Sequence, residues 1–344
     1  MALSTGSKGF LIVLVVAIVT VGATLLLLGG GGSAADDGQP VVVEIPEGTG
    51  AGEVADLLAD RGVIGSALLF KIMARFDDRA GQIRPGTYEL EPGSSTSEIL
   101  EVLSSAPPEP PTFTVVIPEG LTVEQTLQRI ADAEGSPFTV EQLREALAGV
   151  AIPSWVPVDA MPEGAEPFEG LLFPATYEFL VDADPQDVLS QMVAKTEEVM
   201  ATITPPPDLD LYETLVMGSL IEREARLPEE QRVISAVMHN RLAAPMRLQI
   251  DATVLYALGG HKERVLYEDL EVDSPWNTYR VEGLPPTPIS GAGRAAIEAA
   301  ANPTDDDYLY YVVSDPQTGA HAFARTAEEH EANVAAARAA ADDG

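Results

Sequence analysis

The segment Leu211–Leu227 reads LYETLVMGSLIEREARL, and its glutamates are the first groups in the chain suited to proton chemistry. At about 100° per residue, a helix sets Glu222 on the face of Leu211, Leu215, Gly218 and Ser219, with Glu224 about 200° away. The two are therefore not a carboxylate pair, and Glu224 is expected to play no part in catalysis. A carboxyl on an apolar stripe is desolvated, which raises its pKa and lets it hold a proton near neutral pH. Gly218 and Ser219, one turn earlier, predict room for a ligand above it. The structural alternative is an i,i+4 ion pair between Glu222 and Arg226.

A second candidate is RLQIDATVLYALGG, where Gln249, Asp251 and Thr253 stand at i, i+2 spacing. If the segment is extended, an amide, a carboxylate and a hydroxyl share one face, opposite Leu248, Ile250 and Val254. Such a face suits sugar or amide recognition, or is simply a solvent-facing strand. Trp276–Tyr279 (WNTY) adds Asn277 and Tyr279, a mixture found in sugar sites. His321 and Phe323 alternate with small residues in AHAFAR, where a satisfied structural histidine is an equal reading. The chain has no cysteine, hence no disulfide, thiolate metal site or cysteine nucleophile. None of its four histidines (His239, His261, His321, His330) has H-E-x-x-H spacing, which argues against a zinc hydrolase.

The elements that position these residues belong to a chain of 344 residues with 46 % apolar side chains, enough for a sizeable core. Ile45–Asp60 (IPEGTGAGEVADLLAD) is echoed 72 residues later by Ile117–Asp132 (IPEGLTVEQTLQRIAD). Each copy is a β-rich run, a Pro-Glu-Gly turn and a helix, with Gly48 and Gly120 as turn glycines. The Pro-rich Ser105–Thr112 reads as a stiff linker between two small related modules. Helices follow near 185–200 and across 211–242, the latter interrupted at Leu227–Pro228. LYYVVSD and AHAFAR make a hairpin by pattern, and an Ala/Glu-rich helix ends the chain. Helices and strands intermix without a βαβ repeat, so the expected class is α+β.

Twenty basic against 54 acidic residues give a formal charge of −34. Such a surface repels DNA and RNA, so no nucleic-acid partner is expected. Phe10–Leu28 is free of charge and would span about 28 Å as a helix, about one hydrocarbon core. Lys8 precedes it and Asp36 and Asp37 follow, which predicts an N-terminal transmembrane helix with the bulk of the chain outside. A cleaved signal peptide is the alternative. The expected organisation is a cytoplasmic tail over 1–9, the membrane helix over 10–32 and a linker over 33–40. A first module over 41–105 and a catalytic domain over 113–344, holding the second module near 113–132, complete it.

Five blocks in order then carry a resemblance: EGLLFPATYEF, SLIEREA, HNRLAAPMRLQIDATVLYALG, WNTYRVEGLPPTPIS and YLYYVVSDPQTGAHAFARTAEEH. Together they resemble the endolytic murein transglycosylases, the YceG-like family of membrane-anchored cell-wall enzymes. The resemblance implies that Glu222, the first glutamate of SLIEREA, is the catalytic residue. It implies further that the segments around Gln249, Asp251, Thr253, Asn277 and Tyr279 line a glycan cleft, and that 41–105 is a LysM-like module. The implied reaction is non-hydrolytic cleavage of the MurNAc–GlcNAc β-1,4 bond of peptidoglycan, with no metal or organic cofactor. Implied partners are nascent glycan strands, the cell membrane through one helix, and peptidoglycan synthases. Rival readings are a hydrolytic muramidase using Glu222 and Asp251, and a non-catalytic wall-binding scaffold. The chain departs from the family pattern at Arg223, Ala225 and Ala175, where lysine, threonine and an acidic residue are expected.

Overall fold

The structure is a computed structural model that describes residues 39–259, 262 and 265–342. It shows a mixed α/β fold whose sheets are three separate antiparallel strand pairs among the described residues. The expected fold included a transmembrane helix, and this is corrected: among the described residues no helix is long and apolar enough to cross a membrane. The apolar run Phe10–Leu28 lies outside the described residues. The chain divides into two compact units that part between Pro110 and Pro111.

The first unit runs β1 (Val41–Ile45), α1 (Ala51–Asp60), α2 (Ala67–Ala74), β2 (Gly86–Leu90) and α3 (Thr96–Ser104). β1 and β2 pair antiparallel with Val43 opposite Tyr88. Alternate residues Val43, Ile45, Tyr88 and Leu90 face inward onto Val54, Leu58, Phe70, Ile99 and Leu103. A lone strand pair is marginal in water, so these helices supply the face that stabilises it. α3 starts at a reciprocal cap: the Ser95 hydroxyl accepts from the Glu98 N–H and the Glu98 carboxylate accepts from the Ser95 N–H.

The second unit opens with β3 (Thr112–Val116), α4 (Val123–Ala131), α5 (Val140–Leu147) and β4 (Thr176–Leu180). β3 and β4 pair antiparallel, so both units contain the same strand–helix–helix–strand module. The internal repeat thus extends to its closing strands: Pro85–Leu90 reads PGTYEL and Pro174–Phe179 reads PATYEF. In both copies the tyrosine is buried and donates to the carbonyl four residues back, Tyr88 to Arg84 at 3.0 Å and Tyr177 to Phe173 at 2.8 Å. Ala175 occupies the place of Gly86, at the foot of this strand.

The rest of the second unit is α6 (Pro185–Met200), α7 (Leu211–Glu224), α8 (Gln231–Ala243), α9 (Asp251–Ala257), α10 (Arg294–Ala301), the hairpin β5 (Tyr310–Asp315) and β6 (Ala320–Ala324), and α11 (Ala327–Asp342). α7 is the central element. Every residue from Tyr212 to Ile221 except Glu213 is buried, and α8, α9 and α10 pack around it. A helix apolar on all sides must be interior. Its start is fixed by a capping box of Asp210 and Glu213.

The extended segment expected for RLQIDATV does not form; α9 begins at Asp251. Ala252, Thr253 and Val254 are all buried, a run no half-exposed strand could hold. Gln249, at φ 54, and the Thr253 hydroxyl, which donates to the Ile250 carbonyl at 2.6 Å, turn the chain into the helix.

Candidate active site

Glu222 lies in the last turn of α7, where the carbonyl end of the helix disfavours negative charge. It is half-buried, and its Oε2 accepts the Gly293 N–H at 3.0 Å. Burial raises its pKa above the usual carboxylate range; the Gly293 N–H opposes this, the Glu119 charge adds to it, and Arg223 draws it down. The net effect favours the protonated acid. The Glu222–Arg226 ion pair does not occur among the described residues, because α7 ends at Glu224 and the Arg226 stem packs over Gly319.

The loop that presents Gly293 is tied to α7 through Ser219 as well as through Glu222. The buried Ser219 hydroxyl donates to the Val216 carbonyl at 2.6 Å and accepts the Ile289 N–H at 3.1 Å. A Cβ on Gly218 would come within 3.2 Å of Ile297 Cα. These small residues therefore let α10 and the loop approach the helix. They do not leave space for a ligand, and that expectation is corrected.

The Pro-Glu-Gly turn of the second module meets the same loop. Gly120, at φ 78, donates to Gly291 and Gly291 donates to Leu121, each at 2.8 Å. Arg223 donates to the Gly120 carbonyl at 3.0 Å, which gives the arginine at this position a holding role. The Glu119 carboxyl occupies the space a Cβ on Gly293 would fill. Glu119 was not singled out from the sequence, although the repeated Pro-Glu-Gly marks its place.

Glu224 is not free on the far face. The Tyr311 hydroxyl of β5 donates to it at 2.8 Å, and burial raises its pKa, with the nearby Asp251 charge adding to the effect. Asp251, exposed at the start of α9, accepts the Tyr279 hydroxyl at 2.6 Å. The structure thus brings Asp251 and Tyr279 together on the Glu224 side of α7. The charges that act on Glu222 are Glu119 and Arg223 instead.

The remaining predicted residues part company. Gln249 is exposed and its N–H donates to the Thr278 carbonyl at 3.0 Å. Thr253 is fully buried, its hydroxyl shared with Thr278 at 2.9 Å. Asn277 is also fully buried and donates to the Leu270 and Val272 carbonyls at 2.9 and 2.8 Å. Thr253 and Asn277 therefore build the wall behind this surface. His321 is a satisfied structural histidine, its Nδ1 2.7 Å from Glu230 Oε2.

Sequence reasoning also passed over Glu169, in the EGLLFPATYEF block. It is buried, accepts the Val123 N–H and the Tyr256 hydroxyl, each at 3.2 Å, and burial pushes its pKa up to about 8. A glutamate inside an apolar run was the available signal. Among the described residues no group of three or more metal-ligating side chains converges.

Residues 43–336 match the model of the YceG-like family. A Bacillus subtilis (strain 168) protein named endolytic murein transglycosylase is 34 % identical over 303 residues, covering 84 % of this chain and 82 % of the relative. A Streptococcus pneumoniae (serotype 2, strain D39) protein of the same name is 30 % identical over 320 residues, 86 % of this chain and 58 % of the longer relative. A crystal structure of a YceG-like protein from Listeria monocytogenes aligns with a TM-score of 0.54 at 34 % identity, covering 86 % of this chain and 99 % of that one.

Proposed function

The chain belongs to the YceG-like family and is a murein transglycosylase, a lyase acting on peptidoglycan; we propose that it cleaves the MurNAc–GlcNAc β-1,4 bond within the strand, with Glu222 moving the proton. Protonated Glu222 donates to the glycosidic oxygen as the bond to MurNAc C1 breaks and an oxocarbenium-like state develops. The ionised carboxylate then takes the proton from the MurNAc C6 hydroxyl, whose oxygen closes onto C1 as the 1,6-anhydro end. One carboxyl serves as acid and then base because the nucleophile belongs to the substrate. The paired carboxylates of most glycosidases are then unnecessary.

The observation that carries this reading is the setting of Glu222: a half-buried carboxyl with raised proton affinity, accepting a single backbone N–H from Gly293. A hydrolytic muramidase using Asp251 as base finds less support, since Asp251 is bonded to Tyr279 and acts on Glu224. Asp251, Tyr279 and the exposed Gln249 are assigned to glycan contact, and the first module to holding the strand. The test is mass analysis of products released from purified glycan strands by the full-chain protein. Transglycosylation gives ends one water lighter than hydrolysis, and reducing MurNAc ends would overturn the proposal.

A further inference from the structure

We infer that Glu119, carried by the Pro-Glu-Gly turn of the second module, is a positioning residue for Glu222: a second acidic side chain docked beside the catalytic carboxyl that favours its acid form. The inference rests on the reading of Glu222 as proton donor.

Two carboxyls abut one glycine. Glu222 accepts the Gly293 N–H, and the Glu119 carboxyl fills the place of the missing Gly293 side chain. Gly293 has an ordinary φ of −71, so the backbone does not demand glycine here; its missing side chain leaves the space that the Glu119 carboxyl occupies. The turn cannot drift, because Gly120 and Leu121 are bonded to Gly291, and Arg223 grips the Gly120 carbonyl. In the first module the same turn has Gly48 at φ 79 with nothing within 4 Å of its Cβ position. The matching position in the second module, Gly120, instead lies against the Arg223 side chain, and the Glu119 beside it reaches Gly293.

When two like charges are close, one group takes up a proton. Glu119 is exposed and Glu222 half-buried, so the cost of desolvation falls on Glu222, whose pKa is raised first by burial and further by the Glu119 charge. The charged groups on the elements packed around α7 are otherwise engaged. Arg294 and Glu298 of α10 lie 3.6 Å apart, Arg232 and Arg241 of α8 bond backbone carbonyls, His239 meets Asp208, and Asp251 of α9 bonds Tyr279. Arg223, on α7 itself, opposes Glu119 with a guanidinium committed to Gly120.

The experiment is the pH profile of anhydro-end release from purified glycan strands by the full-chain protein and its Glu119→Gln, Glu119→Lys and Glu222→Gln variants. The alkaline limb, where the acid loses its proton, is expected to move to lower pH for Glu119→Gln and further for Glu119→Lys. The loss at the optimum should stay below about tenfold, short of the ~10²–10⁴-fold that proton transfer itself supplies. A contribution from turn shape alone would not follow the charge series. An unmoved limb beside an inactive Glu222→Gln protein overturns the role of Glu119 alone. An active Glu222→Gln protein overturns the reading on which it rests.

Discussion

Replacing Ser219 by alanine tests the attachment of the Gly293 loop to α7. The hydroxyl bridges the Val216 carbonyl and the Ile289 N–H, and both Ser219 and Ile289 are buried. Val216 stays within the helix, so its carbonyl loses little. Among the described residues the Ile289 N–H has no other acceptor, and Ile289 is buried. An unsatisfied buried donor costs about 1–3 kcal/mol. For a folded unit of this size each kcal/mol lowers Tm by ~2–4 °C, so a fall of about 4–8 °C is expected for a mid-range cost. Loosening Ile289 also loosens Gly293, four residues on, which donates to Glu222. Activity should therefore fall at temperatures well below melting. Thermal unfolding by circular dichroism and anhydro-end release at one fixed temperature give the two readings. A Ser219→Ala protein that melts with the wild type, or that melts early with full activity at low temperature, would refute this account of the loop.

Glu224→Gln should preserve an acceptor for the Tyr311 hydroxyl and leave stability nearly unchanged, whereas Glu224→Ala should cost about 1–3 kcal/mol in denaturant unfolding. Equal stability of the two variants would show that the Tyr311 bond contributes nothing. Glu169 has a folded pKa of about 8 against an ordinary 4.5, so the folded state binds the extra proton. Its contribution is therefore fully present below pH 4.5 and lost as pH rises through about 8. Unfolding free energy should decline across that window, and Glu169→Gln should flatten the decline; an unaltered slope would count against a protonated Glu169. Asn277→Ala removes two bonds from the wall and should lower Tm while leaving KM for glycan nearly unchanged, because the side chain is fully buried. A selective rise in KM would return Asn277 to the ligand surface.

Local periodicity made part of this legible. The helical period placed Glu222 among Leu215 and Gly218 without reference to any distant segment. The hairpin after Tyr310 and the break before Pro228 were written in short-range turn chemistry. Long-range contacts were not legible. Gly218 and Ser219 look like room for a ligand until Ile297 and Ile289 are seen to fill it. Glu224 looks remote until β5 covers its face with Tyr311. Gln249, Asp251 and Thr253 matched a strand by alternation, yet burial of three successive residues selected a helix. The two Thr-Tyr-Glu triplets at 87–89 and 176–178 were readable as closing strands, but their separation differs from that of the opening turns. The longer α5–β4 connection absorbs the difference.

On the proposed reading, the Glu222 carboxyl moves the proton in glycan cleavage. Its most direct test is anhydro-end release by Glu222→Gln, which keeps an acceptor for the Gly293 N–H but cannot shuttle a proton. A loss of at least ~10²–10⁴-fold with an unchanged circular dichroism spectrum is expected. A folded Glu222→Gln protein that still releases anhydro ends near the wild-type rate would contradict that reading.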